Sequence, residues 1–319
     1  MQWAPRAALT LATLILLLYI FTSDTATVTL TTAAVPVLEP HGHDARQDTV
    51  ADEGHGIEVI SPVVVPERDL WVTGMDFEIE NASPSVLHHA MLTTANTPLT
   101  WCSNTYDRRN YMIFTEDQMR DPDVHFPEGY ALFIPAGTPL ILYSMFHNLE
   151  APLGPGETFR DVSARLTLRT AEPSEHKPFT KLAFYSPHVA DDPCKPTDEG
   201  YFFTVPARTP EYRKSTTVGA VHPERLVFDH PTRIVYWGAH LHGWQGGKSL
   251  IARKAGSVIG EFATVNASDV PFLYDTPFGP TDIRVESGEP LTVEAVYSNP
   301  SDDPLLGAMG ILYLFIAHE

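Results

Sequence analysis

The chain has 319 residues, among them 28 prolines and 20 glycines, and a net charge of −19. This length allows one large or two ordinary domains with a sizeable core, and so acidic a chain lacks the basic surface that nucleic-acid binding requires. Residues 1–56 contain six acidic and two basic side chains, so the remainder of the chain carries −15 of the total.

The N-terminal region is typical of an exported protein. Residues 7–21 form an apolar run after Arg6, so we assign residues 1–22 to a signal peptide or a short uncleaved membrane anchor that would tether the protein. We therefore expect an extracytoplasmic location. Residues 23–56 are polar and rich in Thr, Ala and Asp, which predicts a flexible, disordered linker. Three histidines in it belong either to a solvated linker or to a copper-scavenging arm: His41, His43 and His55.

Beyond the linker, apolar and β-branched segments alternate with turns rich in Pro, Gly and Asp. The segment TEDQMRDPD, residues 115–123, is the one weak indication of a short helix. This pattern predicts an all-β chain with two antiparallel, jelly-roll-like β-sandwich domains in tandem, at residues 57–176 and 177–319. The predicted strands are GIEVISPVVVP, WVTGMDFEIEN, GYALFIPAG, LILYSMFHN, VSARLTLRT, KLAFYSP, YFFTVPAR, TRIVYWGAHLH, SLIARKAG, SVIGEFATV, LTVEAVYSN and GILYLFI.

The two cysteines, Cys102 and Cys194, have no metal-binding spacing. Disulfides form readily in exported proteins, so the two can pair. Because their separation in sequence does not establish proximity in space, the pairing stays open.

His240 and His242 lie at the end of the predicted strand TRIVYWGAHLH. Side chains two residues apart on a strand share a face, so these two imidazoles can bind one metal ion without distorting the backbone. Considered alone, H-x-H is a weak motif, and two ordinary histidines are the more common interpretation.

Three histidines and one methionine elsewhere are further candidate ligands. His88 and His89 are adjacent, so on a regular strand they would point to opposite faces. Sharing a metal then requires a bulge, a strand end or the use of different ring nitrogens. His147 ends a strongly apolar segment, where an edge histidine is the simpler interpretation. Met309 begins the last strand; it is a core residue unless it joins two imidazoles, where its thioether would suit Cu(I).

In this order, the HH pair, PAGTPLILYSMFHN, HLH and MGILY resemble the copper type II, ascorbate-dependent monooxygenases, the family of peptidylglycine α-hydroxylating and dopamine β-monooxygenases. The resemblance covers roughly residues 57–319. It implies two copper ions per chain, one in each sandwich, that face each other across an open cleft. One copper, held by His88, His89 and His147, would pass on electrons from a donor such as ascorbate. The other, held by His240, His242 and Met309, would be the site where O₂ and substrate react.

The chain departs from the peptide-amidating members at two positions. Where those members have an arginine two residues before the H-x-H, this chain has Gly238, and where they have an asparagine two residues after the methionine, it has Ile311. The tyrosine four residues after the methionine is retained as Tyr313, a candidate catalytic residue. Without the carboxylate-binding pair, we expect hydroxylation of a C–H bond in a small, neutral or cationic substrate rather than in a glycine-extended peptide.

Other interpretations of these motifs remain open. The first is an exported copper-binding or copper-delivery protein without catalysis, and the second is a sandwich without metal. A multicopper oxidase would need several H-x-H motifs and a cysteine flanked by histidine ligands, and a cupin would need a glutamate shortly after H-x-H, which GWQGGK does not supply. Trp237, Trp244 and Tyr313 either line a substrate pocket or belong to the core.

Overall fold

In the computed structural model, regular secondary structure within the described residues consists of β-strands and one 3-10 turn, Pro84–Val86. The predicted all-β, sandwich-like fold is confirmed. The same part of the chain contains no helix with the length and apolar character of a membrane span. The described residues are 27–40, 57–94, 112–117, 123–148, 156–173, 179–185, 187–189, 203–217, 228, 230–242, 246–264 and 278–319.

Within the described residues, twenty-one strands follow one another in sequence. In the first half these are β1 (Thr27–Thr31), β2 (Val35–Leu38), β3 (Ile57–Ile60), β4 (Leu70–Glu80), β5 (Leu87–Thr94), β6 (Met112–Asp117), β7 (Asp123–His125), β8 (Tyr130–Ile134), β9 (Leu140–Phe146) and β10 (Phe159–Thr170). In the second half they are β11 (Thr180–Tyr185), β12 (His188–Val189), β13 (Phe203–Val205), β14 (Thr209–Thr217), β15 (Thr232–Leu241), β16 (Gly247–Lys254), β17 (Ser257–Ala263), β18 (Gly279–Val285), β19 (Leu291–Asn299), β20 (Leu305–Ala308) and β21 (Gly310–His318).

One long sheet runs through both halves in the order β1-β10-β4-β8-β11-β21-β15-β18. A four-stranded sheet, β3-β9-β5-β6, accompanies its first half, and another, β14-β19-β16-β17, accompanies its second half. The halves join where β8 pairs with β11, and this pair is parallel, whereas the other strand pairs in the described part of the chain are antiparallel. The expected boundary at residues 176/177 lies outside the described residues.

Two apolar cores lie on opposite faces of the long sheet, and β21 separates them. Ile311, Tyr313 and Phe315 belong to the first core, together with residues of β5, β9 and β10. Leu312 and Leu314 belong to the second core, together with residues of β16 and β19. Because β21 is buried on both faces, its sequence GILYLFIA is continuously apolar rather than alternating.

Residues 27–40 correct the expectation of a linker at residues 23–56. β1 and β2 pair with β10, and Leu30 is only 1% exposed. The alternating segment TVTLT places one face against the first core, which explains why so polar a stretch is ordered.

The indication of a helix at residues 115–123 is also wrong within the described residues. Residues 115–117 belong to β6, which pairs with β5, and Asp123 begins β7, which pairs with β4. The partner strands provide hydrogen bonds that the short local pattern in this segment does not reveal.

Candidate metal centre

The H-x-H motif ends β15 on the face toward the first core. Ala239 and Leu241 pack in the second core, so His240 and His242 point the other way, as the spacing predicts. Both are buried, at 2% and 5% exposure. The His242 ring nitrogen Nδ1 lies 3.2 Å from the carbonyl oxygen of Gly307, which helps to fix its orientation.

A bulge in β5 presents the first pair of histidines. Leu87 lies opposite Phe146 and His89 opposite Met145, so His88 is the residue inserted by the bulge. This is the irregularity that two adjacent histidines need in order to share one site. The ring centroids of His88 and His89 are 4.5 Å apart.

His147 reaches the same place from the end of β9. Its backbone N–H donates to the carbonyl oxygen of Val86, at 2.7 Å, which holds the end of β9 against the 3-10 turn that precedes the HH pair. The ring centroids of His147 and His88 are 5.5 Å apart. The first predicted ligand set is therefore assembled, although its members lie 59 residues apart in sequence.

The two histidine sets meet in one cluster, which we call the five-histidine cluster. The His88 ring centroid lies 5.7 Å from that of His240 and 5.4 Å from that of His242. One ligand atom from each of these three residues lies within 4.8 Å of the others. The expected gap between two separate copper points is therefore not what the structure shows, because the bulge directs His88 toward the long sheet.

Exposure differs across the five-histidine cluster. His240 and His242 form its buried floor, while His89 and His147 are half-buried and form its rim. His88 lies between them, and both of its ring nitrogens are shielded from solvent. Burial is the main cause that lowers the pKa of His88 well below its usual value, and the other four histidines add to the effect. A neutral imidazole is the form that binds metal.

Met309 lies on the same face as the H-x-H motif. The last register pair between β15 and β21 is Leu241 with Gly310. If the same register is continued by one residue, Met309 lies opposite His242. The Met309 side chain is half-buried and packs against the first core. The backbones of the predicted methionine and the predicted histidine are thus close enough to share one hydrogen-bond partner, the Tyr297 hydroxyl.

Tyr297 is a residue of this site that the sequence analysis missed. Its hydroxyl accepts from the backbone N–H groups of His242 and Met309, both at 3.1 Å, and donates to the Met309 carbonyl oxygen at 2.6 Å. Burial raises its pKa, so the hydroxyl stays protonated and can donate. No local pattern in LTVEAVYSN marks this tyrosine, because its partners are 55 and 12 residues away.

His188 is a second residue without a sequence signal. It pairs with Ile311 on one side of β21, while His240 pairs with Ile311 on the other side. Directly paired residues share a face, so His188 lies on the same face as the H-x-H motif, two strands from it.

The two departures from the amidating enzymes are part of the packed core. A Cβ at Gly238 would lie 2.6 Å from the Phe278 ring, so an arginine does not fit there. Tyr313 is buried between Phe184 and Phe278, with ring centroids 6.0 and 5.6 Å away. Ile311 is buried in the same core. Tyr313 thus belongs to the same core as Ile311, and its ring packs against two aromatic rings.

Trp237 points away from the five-histidine cluster. Its ring packs edge-on against Phe262 at 5.0 Å and sits over Gly260, in the second sandwich. The core interpretation of Trp237 is therefore correct. Trp244, Cys102 and Cys194 lie outside the described residues, as do the three histidines of the predicted linker.

The donor set fits copper. The metal-suited group in the described part of the chain consists of imidazoles alone, and a thioether lies on the same face. Imidazole suits zinc, copper, iron and nickel, whereas a thioether selects for Cu(I) within that group. No described carboxylate joins the group, so its chemistry does not favour magnesium or calcium.

No protein-family model and no curated protein matches the chain. Among solved structures, it is similar to the major capsid protein P2 of bacteriophage PM2, with 9% identity and a TM-score of 0.36, over 92% of this chain and 98% of that one. It is also similar to PNGF-II, with 10% identity and a TM-score of 0.39, over 96% and 68% of the two chains. TM-scores this low carry no information on the function of this chain.

Proposed function

We propose that this protein is an exported, copper-dependent monooxygenase that hydroxylates a C–H bond of a small molecule. The observation that carries the proposal is the convergence of five histidines, from strands far apart in sequence, beside a methionine on the same face. The proposed ligands are those five histidines and Met309, for two copper ions per chain. Ascorbate or a similar one-electron donor is the proposed external reductant.

Copper, once bound, would supply the one-electron steps and the activation of O₂. In the overall reaction, one oxygen atom of O₂ enters the substrate C–H bond and the other leaves as water, with two electrons from the donor and two protons from solvent. The protein's own contribution is to hold the imidazoles in place and to shield the buried floor from water. The half-buried rim, with His89, His147 and Met309, is the side from which substrate and reductant would approach.

Two features support a neutral or cationic substrate. Gly238 and Ile311 offer no group that binds a carboxylate, and the Phe278 ring occupies the space an arginine would need. The −15 carried by residues 57–319 also repels anions at long range, although salt screens this beyond about 10 Å. We therefore propose that glycine-extended peptides are not substrates.

The decisive experiment measures bound copper and then catalysis. Purified protein loaded with copper should hold two ions per chain, and His240→Ala should hold fewer. With ascorbate and O₂, neutral aromatic compounds and amines should each be offered beside a glycine-extended peptide, with oxygen uptake and product mass as readouts. His125→Ala is the matched control, since this exposed histidine binds Asp123 instead, and it should retain all the copper.

Each outcome has a distinct meaning. Substrate-dependent oxygen uptake with a hydroxylated product supports the monooxygenase. Bound copper without such uptake over the whole panel points to the alternative, a non-catalytic copper-binding or copper-delivery protein. Efficient turnover of the peptide would contradict the proposed substrate class, and absence of copper binding would contradict both functions.

A further inference from the structure

We infer that the first metal ion to bind is held jointly by both sandwiches, through His88, His240 and His242. This rests on the proposed copper function, but it divides the ligands differently from the resemblance, in which each sandwich holds its own ion. His89 and His147 are then left, on the rim, for a second ion.

The distances favour this mixed set. Imidazole nitrogens bind such metals at about 2.0–2.1 Å, so two ligand atoms of a tetrahedral ion lie about 3.4 Å apart. The ligand atoms of His88, His240 and His242 already lie within 4.8 Å of one another, so small side-chain rotations suffice. Among the described residues, this is the group of three donors that meets that spacing.

The bulge in β5 explains why His88 rather than His89 joins the second sandwich. His88 is the extra residue in the bulge, inserted between the register pairs Leu87–Phe146 and His89–Met145. His89 remains in register with Met145, and its ring stacks on Tyr143 with centroids 6.2 Å apart. The His89 ring is 6.5 Å from that of His240, further than the His88 ring at 5.7 Å.

Burial favours the same set. His240 and His242 are the two most enclosed imidazoles of the cluster, and the His88 ring nitrogens are shielded as well. An ion in this position would connect the start of β5 to the end of β15. Copper binding should therefore stabilise the native state and slow hydrogen exchange in both segments.

The test is a copper titration in which the affinity of the first equivalent is measured by competition with a chelator. His88→Ala, His240→Ala and His242→Ala should each weaken it more than about 100-fold, because loss even of outer partners of metal ligands typically costs 10–100-fold. The matched variants are His89→Ala, from the same strand as His88, and His147→Ala, from the end of β9. Both residues belong to the same cluster, and each variant should weaken the affinity less than about tenfold.

A second measurement needs no variant and so does not depend on variants that fold. Wild-type protein with one equivalent of copper is oxidised briefly with ascorbate and O₂, and the oxidised histidines are identified by mass spectrometry. Oxidation concentrated at His88, His240 and His242 supports the mixed site. Oxidation confined to His88, His89 and His147, or first-equivalent binding that survives His240→Ala, would overturn it while leaving the copper function standing. If the protein binds no copper, the mixed site and the proposed function fail together.

Discussion

Tyr297 holds two proposed ligand segments in place with one side chain. Its hydroxyl bonds the backbones at His242 and Met309, and its fully buried ring packs edge-on against Phe203. The alternation of side chains along β15 orients His242. The position of the His242 backbone relative to that of Met309 depends on this hydroxyl, which bonds both. Tyr297 is thus a positioning residue, with no direct part in metal binding.

We expect Tyr297→Phe to destabilise the metal-free protein by about 1–3 kcal/mol, because it leaves buried backbone groups of His242 and Met309 unsatisfied. It should also weaken Cu(I) binding and change the absorption spectrum of bound Cu(II), which a purely structural role would not do. Urea unfolding and Cu(I) competition measure the two effects. Tyr212→Phe is the matched control, since Tyr212 pairs with Tyr297 across β14 and β19 and is half-buried. Unchanged Cu(I) binding in Tyr297→Phe would contradict the positioning role.

At the scale of elements, the strands β1 and β2 are the clearest departure from expectation. Residues 23–56 have the composition of a linker, yet part of the stretch forms an edge of the long sheet. The average composition of this stretch is polar because of its threonines, and it therefore predicts disorder. Whether the strands pack against the core depends instead on the few apolar residues on one face. Leu30 and Leu38 are those residues, at 1% and 2% exposure.

Leu30→Ala should destabilise the fold by about 2–5 kcal/mol, the usual cost of truncating a buried leucine. Val37→Ala, in the adjacent strand, should cost far less, because Val37 is 37% exposed. Thermal or urea unfolding of the two variants beside the wild type provides the comparison. Equal, small effects for both would mean that β1 does not contribute to the core.

The bulge in β5 is a second case in which one element decides the site. The sequence indicates that the strand must be irregular if both histidines bind one metal, since adjacent side chains on a regular strand point to opposite faces. Whether a bulge exists depends on the register between β5 and β9, which Leu87 and Phe146 fix through long-range burial.

Across the whole molecule, the two sandwiches share one sheet. β21 contributes Phe315 to the first core and Leu314 to the second, so neither core can be lost without exposing part of the other. The five-histidine cluster lies on the first-core face of this shared sheet. The cluster is therefore compact because the hydrogen bonds between β8 and β11 join the halves into one sheet.

The shared sheet predicts one cooperative unfolding transition for both halves. Phe315→Ala and Leu314→Ala should each lower the same Tm by several degrees, since each costs about 2–5 kcal/mol and 1 kcal/mol corresponds to about 2–4 °C in a protein of this size. Calorimetry, with circular dichroism and tryptophan fluorescence followed in parallel, measures this. Two transitions, with each variant shifting a different one, would show that the sandwiches are independent.

The sequence by itself determined what depends on short-range periodicity. Alternation of apolar residues is enough to predict an all-β chain, and spacing of two residues is enough to place His240 and His242 on one face. The chemistry of the donors also follows from sequence, because imidazoles and a thioether are named by the residues themselves. Function at this level remains a proposal.

Only the tertiary structure decided which of these groups meet. The parallel pairing of β8 and β11, the bulge at His88 and the hydroxyl of Tyr297 all depend on contacts between residues far apart in the chain. Burial of apolar surface drives such contacts. The local sequence does not show which segments will meet, because an apolar face can pack against any other apolar face that matches it. The distance between the two histidine sets therefore depends on the tertiary structure. Because this distance is short, the two expected sites form one cluster.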